Sequence, residues 1–546
     1  MKKKILLNRS VALFLAFCMA TVLIPATALA VTSIDDPNSY YFQARAEIAD
    51  EPRVDPPTYL PAIQEGKNSG LMVEAYNGYK AEIGMKAVPE GNSIEATYYG
   101  LTVISEGENA EGNPSKSIVT VDGPIVSGKE AVSVTVRDHG YAEVQADDLQ
   151  TTATGDGIKV DAEEGTVKVT AGEINAKGTG ADIFATSGAG VEVETGKITA
   201  GGDGVTVEAS DNVSVKVQTG ALTANGKGIN LSADSGANLE VNAGGAVNAG
   251  ENGVFIYADG DGTQVVISAE KEINGNQGVE IKSSDGALAG GIVGNVNASG
   301  KDAFGVSIST EQGSASGNPV VIPNDLDAIS VYTKPEDGNE WHTVPEESED
   351  SEVSSGTVLD TDDVTAYAGV HVEAAGGTSG ISTGKVTVTG GNIEDSSKPI
   401  TDRFANGFIA TNGGMVIGDL ESVESKACGV DLYIRSAGIA TVNAGSIKAD
   451  EIGIHIDNEG GTTWTDADTI TSYMEAVGVT MVGDESVSFA FVDGNATSTH
   501  DNGIEISNQG GHVLVAVAGD ATSTADDPNL EKSAGLEPSG SPSETP

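Results

Sequence analysis

Cysteine, basic residues and large aromatics are all scarce in this chain, and each scarcity removes an option. The 546 residues include two cysteines. Cys18 falls in an N-terminal leader, so Cys428 is left without a partner and no intramolecular disulfide is expected to brace the fold. Phe, Trp and Tyr make up 5% of the residues. A core without large rings must be thin and repetitive rather than globular. Lys and Arg number 29 against 81 acids, a formal net charge of -52. Nucleic acids and anionic headgroups are gripped by cationic groups, so neither is an expected partner. A surface of this sign attracts cations such as calcium loosely, and no other cofactor is expected. Past the leader no apolar run is long enough to span a bilayer, so no membrane span is expected in the mature chain.

What is present points to export and repetition. "MKKK" with Arg9 forms a cationic start, "VALFLAFCMATVLIPA" an apolar stretch, and "ALA" a small-x-small site. Together they read as a secretory signal, residues 1–30, cleaved after Ala30. Phe17 occupies the place where a lipidated Cys18 would need a small residue, so Cys18 reads as part of the apolar stretch. Residues 1–30 carry four bases (Lys2, Lys3, Lys4, Arg9) and no acid, so the remainder holds 25 bases against 81 acids. Glycine is abundant, at 71 residues, and 38% of the chain is hydrophobic. That content is too high for a wholly disordered chain.

A motif G-[IV]-x-[VIL] recurs through the chain. It reads GIKV at Gly157, GADI at Gly180, GVTV at Gly204, GINL at Gly228, GVFI at Gly253, GVEI at Gly278 and GVSI at Gly305. The spacings are 23, 24, 24, 25, 25 and 27 residues. It returns as GVHV at Gly369, GFIA at Gly407, GVDL at Gly429, GIHI at Gly453, GVTM at Gly478 and GIEI at Gly503, with fainter copies at Gly70, Gly100 and Ala131. A second strand in each unit carries paired β-branched residues: Val167 with Val169, Val191 with Val193, Val213 with Val215. A third is a short [IVL]-[NT]-[AG] element such as Ile174-Asn175-Ala176 or Leu222-Thr223-Ala224. Three short strands per about 24 residues, separated by Gly, Asn and Asp turns, describe one coil of a solenoid. Alternation then points Val205, Val207 and Ala209 inward and Thr206 and Glu208 outward. Sixteen copies predict a rod on the order of 75 Å long.

These coils resemble the parallel β-helix of pectate-lyase-like and adhesin-like secreted bacterial proteins, over roughly residues 70–525. The resemblance implies an all-β, single-stranded right-handed parallel β-helix and a bacterial, extracellular location. It is weakly specific for function, since that family mixes lyases, hydrolases, phage tailspikes and non-catalytic surface proteins. The expected organisation is a signal (1–30), an N-terminal cap region (31–69), a first β-helix part (70–309), an insertion with a hairpin and an acidic loop (310–365), a second β-helix part (366–525) and a disordered tail (526–546). The hairpin expectation rests on "AISVYTK" and "EWHTVPE" flanking "PEDGN", and the acidic loop on "EESEDSE" from Glu346.

Lyases of that family use clustered carboxylates for calcium with an Arg or Lys as base. The outward columns read Lys159, Asp182, Thr206, Asn230, Phe255, Glu280, Ser307 and Asp161, Phe184, Glu208, Ser232, Tyr257, Lys282, Ser309. Neither sets two carboxylates side by side. A better constellation comes from "GVDLYIR" and "GIHID". Stacking places Asp431, Tyr433 and Arg435 beside His455 and Asp457 on an outer face, able to work as acid and base or to bind a cation. Phe255 and Tyr257, exposed on one coil, offer a stacking surface for a sugar ring. Trp341 and His342 sit in the projecting hairpin, where binding residues gather. Cys428 reads as a small buried residue. The expected function is a secreted or cell-surface non-catalytic protein with a structural or adhesive role, binding an extracellular glycan or protein surface. The alternative is a polysaccharide lyase or glycoside hydrolase of the same fold.

Overall fold

The computed structural model describes residues 40–46, 58–60, 69–86, 94–301, 303–311, 332–333, 342–343, 356–390 and 406–523. The signal and the tail, together with Trp341 and the acidic run from Glu346, lie outside these residues. The described chain is all β, with no helix. It winds as a parallel β-solenoid of the right-handed type with about 25 residues per turn. First strands of successive coils form one 17-stranded sheet, and second and third strands form a 29-stranded sheet.

Each coil pairs residue for residue with the next. Val205 is opposite Ala181 on one side and Ile229 on the other, and Val207 lies between Ile183 and Leu231. Inward columns of Val, Ile, Leu and Ala therefore stack along the molecule into one thin apolar core. Val205, Val207 and Ala209 are buried while Glu208 is exposed, as alternation requires. The outward columns through Lys159 and Asp161 hold as far as Ser307 and Ser309.

Two turn types close each coil. The motif glycines are required by close approach: a Cβ on Gly204 would strike the Leu222 side chain and the Gly228 carbonyl. Between first and second strands the backbone turns left-handed, as at Ser187–Gly188 and Ser235–Gly236. Corner aspartates accept amide hydrogens from the following coil, Thr179 N donating to Asp156 Oδ1 at 2.8 Å and Lys227 N to Asp203 Oδ1 at 2.9 Å.

Register corrects three expectations by two residues each. Val215 and Val217, not Val213 and Val215, stand in line with Val191 and Val193. Gly407 and Gly478 are not corner glycines: Gly407 pairs with His371 and Asp431, and Gly478 with His455. Ala476 takes the corner before Val477, while buried Asn406 fills the place of Val430. Asn406 Oδ1 accepts from Val370 N at 2.9 Å and its Nδ2 donates to the Gly429 carbonyl at 2.8 Å, bridging two coils.

The solenoid also extends past two expected boundaries. Tyr40–Ala46 pairs in parallel with Ser69–Tyr76, so the segment assigned to a cap contributes a rung. After Glu311 the coil resumes at Gly356, within the segment assigned to the insertion, where Gly356–Thr361 pairs with Leu288–Val293. Buried hydroxyls fasten this joint. Ser283 Oγ lies 2.7 Å from Thr357 Oγ1, and Ser379 Oγ donates to Thr310 Oγ1 at 2.8 Å. Inside the insertion Tyr332–Thr333 pairs antiparallel with His342–Thr343. In later coils the second and third strands merge into single 11-residue strands, as in Met415–Ser425 and Thr462–Ser472.

Candidate functional site

The constellation at Asp431 assembles from two neighbouring first strands, Val430–Arg435 and Ile454–Glu459. Their register sets Asp431 opposite His455, Tyr433 opposite Asp457 and Arg435 opposite Glu459. His455 Nδ1 lies 2.8 Å from Asp431 Oδ1. Asp431 is 1% exposed, against the outer, solvated position that alternation implies, and its Oδ2 is buried with no hydrogen-bond partner. An acid held on one ring nitrogen orients a histidine and directs its other nitrogen away, the arrangement of a general base.

Glycines open the column on both sides. Gly407 precedes Asp431 and Gly478 follows His455, so the position next to the pair on each side carries no side chain of its own. A Cβ on Gly407 would meet only His371 Nδ1, at 3.6 Å, and one on Gly478 would meet His455 Cδ2 at 3.8 Å. The pair thus lies between two glycines, with the His371 and His455 rings reaching toward them. Glu475 borders the pair. Burial pushes the Glu475 carboxyl above its ordinary value, Asp501 and Glu505 add to that push, and His455 opposes it. Sequence reasoning missed Glu475 and both glycines; the two-residue shift in register hid the glycines.

Arg435 is fully engaged. Its guanidinium forks onto Asp457 at 3.3 Å through both terminal nitrogens, its Nε meets Glu459 at 3.1 Å, and its plane lies 3.9 Å from the Tyr433 ring centre. This cation holds the two strands together and is poorly placed to serve as a lyase base.

The other expected residues are dispersed. Phe255 and Tyr257 share a strand between Ile229–Ala233 and Gln277–Ser284. Phe255 is half-buried, not exposed, because Lys227 Nζ sits 3.7 Å over its ring; Tyr257 is 39% exposed. His342 belongs to the short antiparallel pair. Cys428 is buried.

Two further features lie on the other sheet. A groove of about 650 Å³ runs past Asp360, Asp362, Asp419 and Glu421. Burial pushes the Asp360 and Asp419 carboxyls above their ordinary value. Among the described residues no three His, Cys, Asp or Glu side chains converge to hold a metal ion. Farther along the stack, Trp464 lies opposite Phe489, with ring centres 5.5 Å apart, and Phe491 lies 4.7 Å from Trp464. The sequence does hold a signal for this cluster: Trp464 and Phe489 are 25 residues apart, one repeat.

No family model matches the chain, and no curated protein and no solved structure matches it.

Proposed function

We propose that the chain is a secreted or cell-surface bacterial β-solenoid with a structural and adhesive role, binding an extended ligand such as a glycan or a protein surface along its outer faces. The observation that carries this reading is the unbroken register of outward side chains. The third-strand column runs Asn175, Thr199, Thr223, Asn248, Asn274, Asn297. It forms an uncharged hydrogen-bonding track on a chain of net charge -52. Asn274 Nδ2 donates to Asn248 Oδ1 at 2.9 Å and Asn297 Nδ2 to Asn274 Oδ1 at 3.0 Å, which holds the amides at strand spacing. A polymer with a short repeat can meet such a track many times over, so weak contacts accumulate. Calcium held loosely by the acidic surface fits the same reading.

A second reading, a polysaccharide lyase or glycoside hydrolase, is favoured by one observation: the Asp431–His455 pair, 2.8 Å apart. A panel of polysaccharides separates the two. Binding without release of reducing ends or unsaturated uronates supports adhesion. Turnover that disappears in His455→Gln and Asp431→Asn overturns it in favour of the enzyme.

A further inference from the structure

We infer that Trp464, Phe489 and Phe491 form the seat for a neutral glycan, with pyranose ring faces stacked on the aromatic rings; this rests on the adhesive reading and names its ligand class and its place. The chain holds two tryptophans, and one of them stands here on an outward column. Three half-buried rings converge from two adjacent strands, with Phe489 and Phe491 within 10° of parallel. Their backbone is pinned beneath by inward residues: Thr463, Thr465 and Ala490 are all buried. The platform is therefore preformed, which lowers the entropic cost of binding. Its apolar surface continues to Leu514, 48% exposed, in the same column.

The border selects the occupant. Asp466 lies between Asn443 and Phe491 in the adjoining column. Burial pushes the Asp466 carboxyl above its ordinary value, and Asp493 adds to the push. Carboxylate and amide oxygens beside aromatic faces accept hydrogen bonds from sugar hydroxyls while the rings cover the sugar's C–H face. A second copy of the chain would bring these acids, and a net charge of -52, against their own kind. A uronate-bearing glycan meets the same repulsion. A neutral, hydroxyl-rich polymer does not.

The experiment titrates the full chain with soluble neutral oligosaccharides (β-glucan and xylan) and, in parallel, with oligogalacturonate. Tyr98→Ala, at a tyrosine 45% exposed, serves as an exposed aromatic control elsewhere. The expected result is neutral-glycan binding weakened about tenfold or more by Trp464→Ala, equivalent to about 1.4 kcal/mol. Phe489→Leu should weaken it too, Trp464→Phe less, and Tyr98→Ala not at all. Circular dichroism verifies the β signature of each variant; if Trp464→Ala does not fold, Phe489→Leu and Trp464→Phe decide. Wild-type binding that ignores the platform variants overturns the inference and leaves the adhesive reading standing. So does a preference for oligogalacturonate, or a Trp464-dependent dimer in sedimentation. A wild-type chain that binds no glycan overturns the inference, and the adhesive reading then depends on a protein surface as ligand.

Discussion

Asp431 is a carboxylate the stack has buried beside one histidine, with glycine on either side of the pair. Removing His455 strips the acid of the imidazole it meets at 2.8 Å. We therefore expect His455→Ala to destabilise the fold by about 1–3 kcal/mol in denaturant unfolding. In a double-mutant cycle Asp431→Asn and His455→Gln should couple by about 0.5–3 kcal/mol. Additive effects would show that the 2.8 Å contact contributes nothing to stability. The pairing itself was legible, because a spacing of 24 residues puts Asp431 and His455 on neighbouring coils. The burial of Asp431 was not. Alternation states which face a side chain takes and says nothing about what lies over it. Phe255 teaches the same lesson, since Lys227, which covers its ring, comes from the corner of a different coil.

Within one coil, the contrast between neighbouring positions is sharp. Leu222 points inward and is buried, and Thr223 points outward. Leu222→Ala should cost about 2–5 kcal/mol. Thr223→Ala should stay within about 0.5 kcal/mol, as surface changes do. Comparable losses in chemical denaturation would refute the inward assignment. Gly204→Val should cost about 1–3 kcal/mol through overpacking, because the Leu222 side chain and the Gly228 carbonyl occupy the space a side chain needs. Element type and order were readable from the repeat. Phase was readable only to within two residues, as Val213, Gly407 and Gly478 show. A slip of one residue reverses every side chain and is easily rejected, whereas a slip of two preserves the alternation. Only the pairing partner on the next coil distinguishes the two phases. The resumption at Gly356 was missed for a related reason: its glycine-led strand aligns with Leu288–Val293 across a long interruption.

For the molecule as a whole, charge sets the response to pH. Asp156, Asp182, Asp360, Asp419, Asp466 and Glu475 all sit above their ordinary values, chiefly because burial penalises the charged form. Glu373 and Glu424 sit below theirs, through hydrogen bonds from His371 and from Lys385 and Lys448. A carboxyl raised on folding binds its proton more tightly folded than unfolded. Its contribution is complete below the unfolded value, 3.8 for Asp and 4.5 for Glu, and is lost as pH rises through the folded value. Protonation of these raised carboxyls also relieves the self-repulsion of a chain of net charge -52, so Tm should climb as pH falls from neutral toward about 4.5, and added salt should raise Tm at neutral pH. A Tm that falls steadily over that range would contradict the balance. Modularity gives a second expectation: deleting residues 205–228 joins Gly204 to Ile229, the partner of Val205 in register. The shortened chain should keep its β spectrum and a cooperative melt; aggregation or a lost transition would mean that coils are not interchangeable. The direction of the hydrogen bonds carries a mechanical consequence. Strands lie across the stack, so their bonds point along it, and a pull on the two ends loads every rung in series. Such a rod yields one coil at a time, and each detached coil of about 25 residues releases roughly 80 Å of slack. A pull on this protein therefore meets a chain of small, equal give-points in place of a single breaking strain.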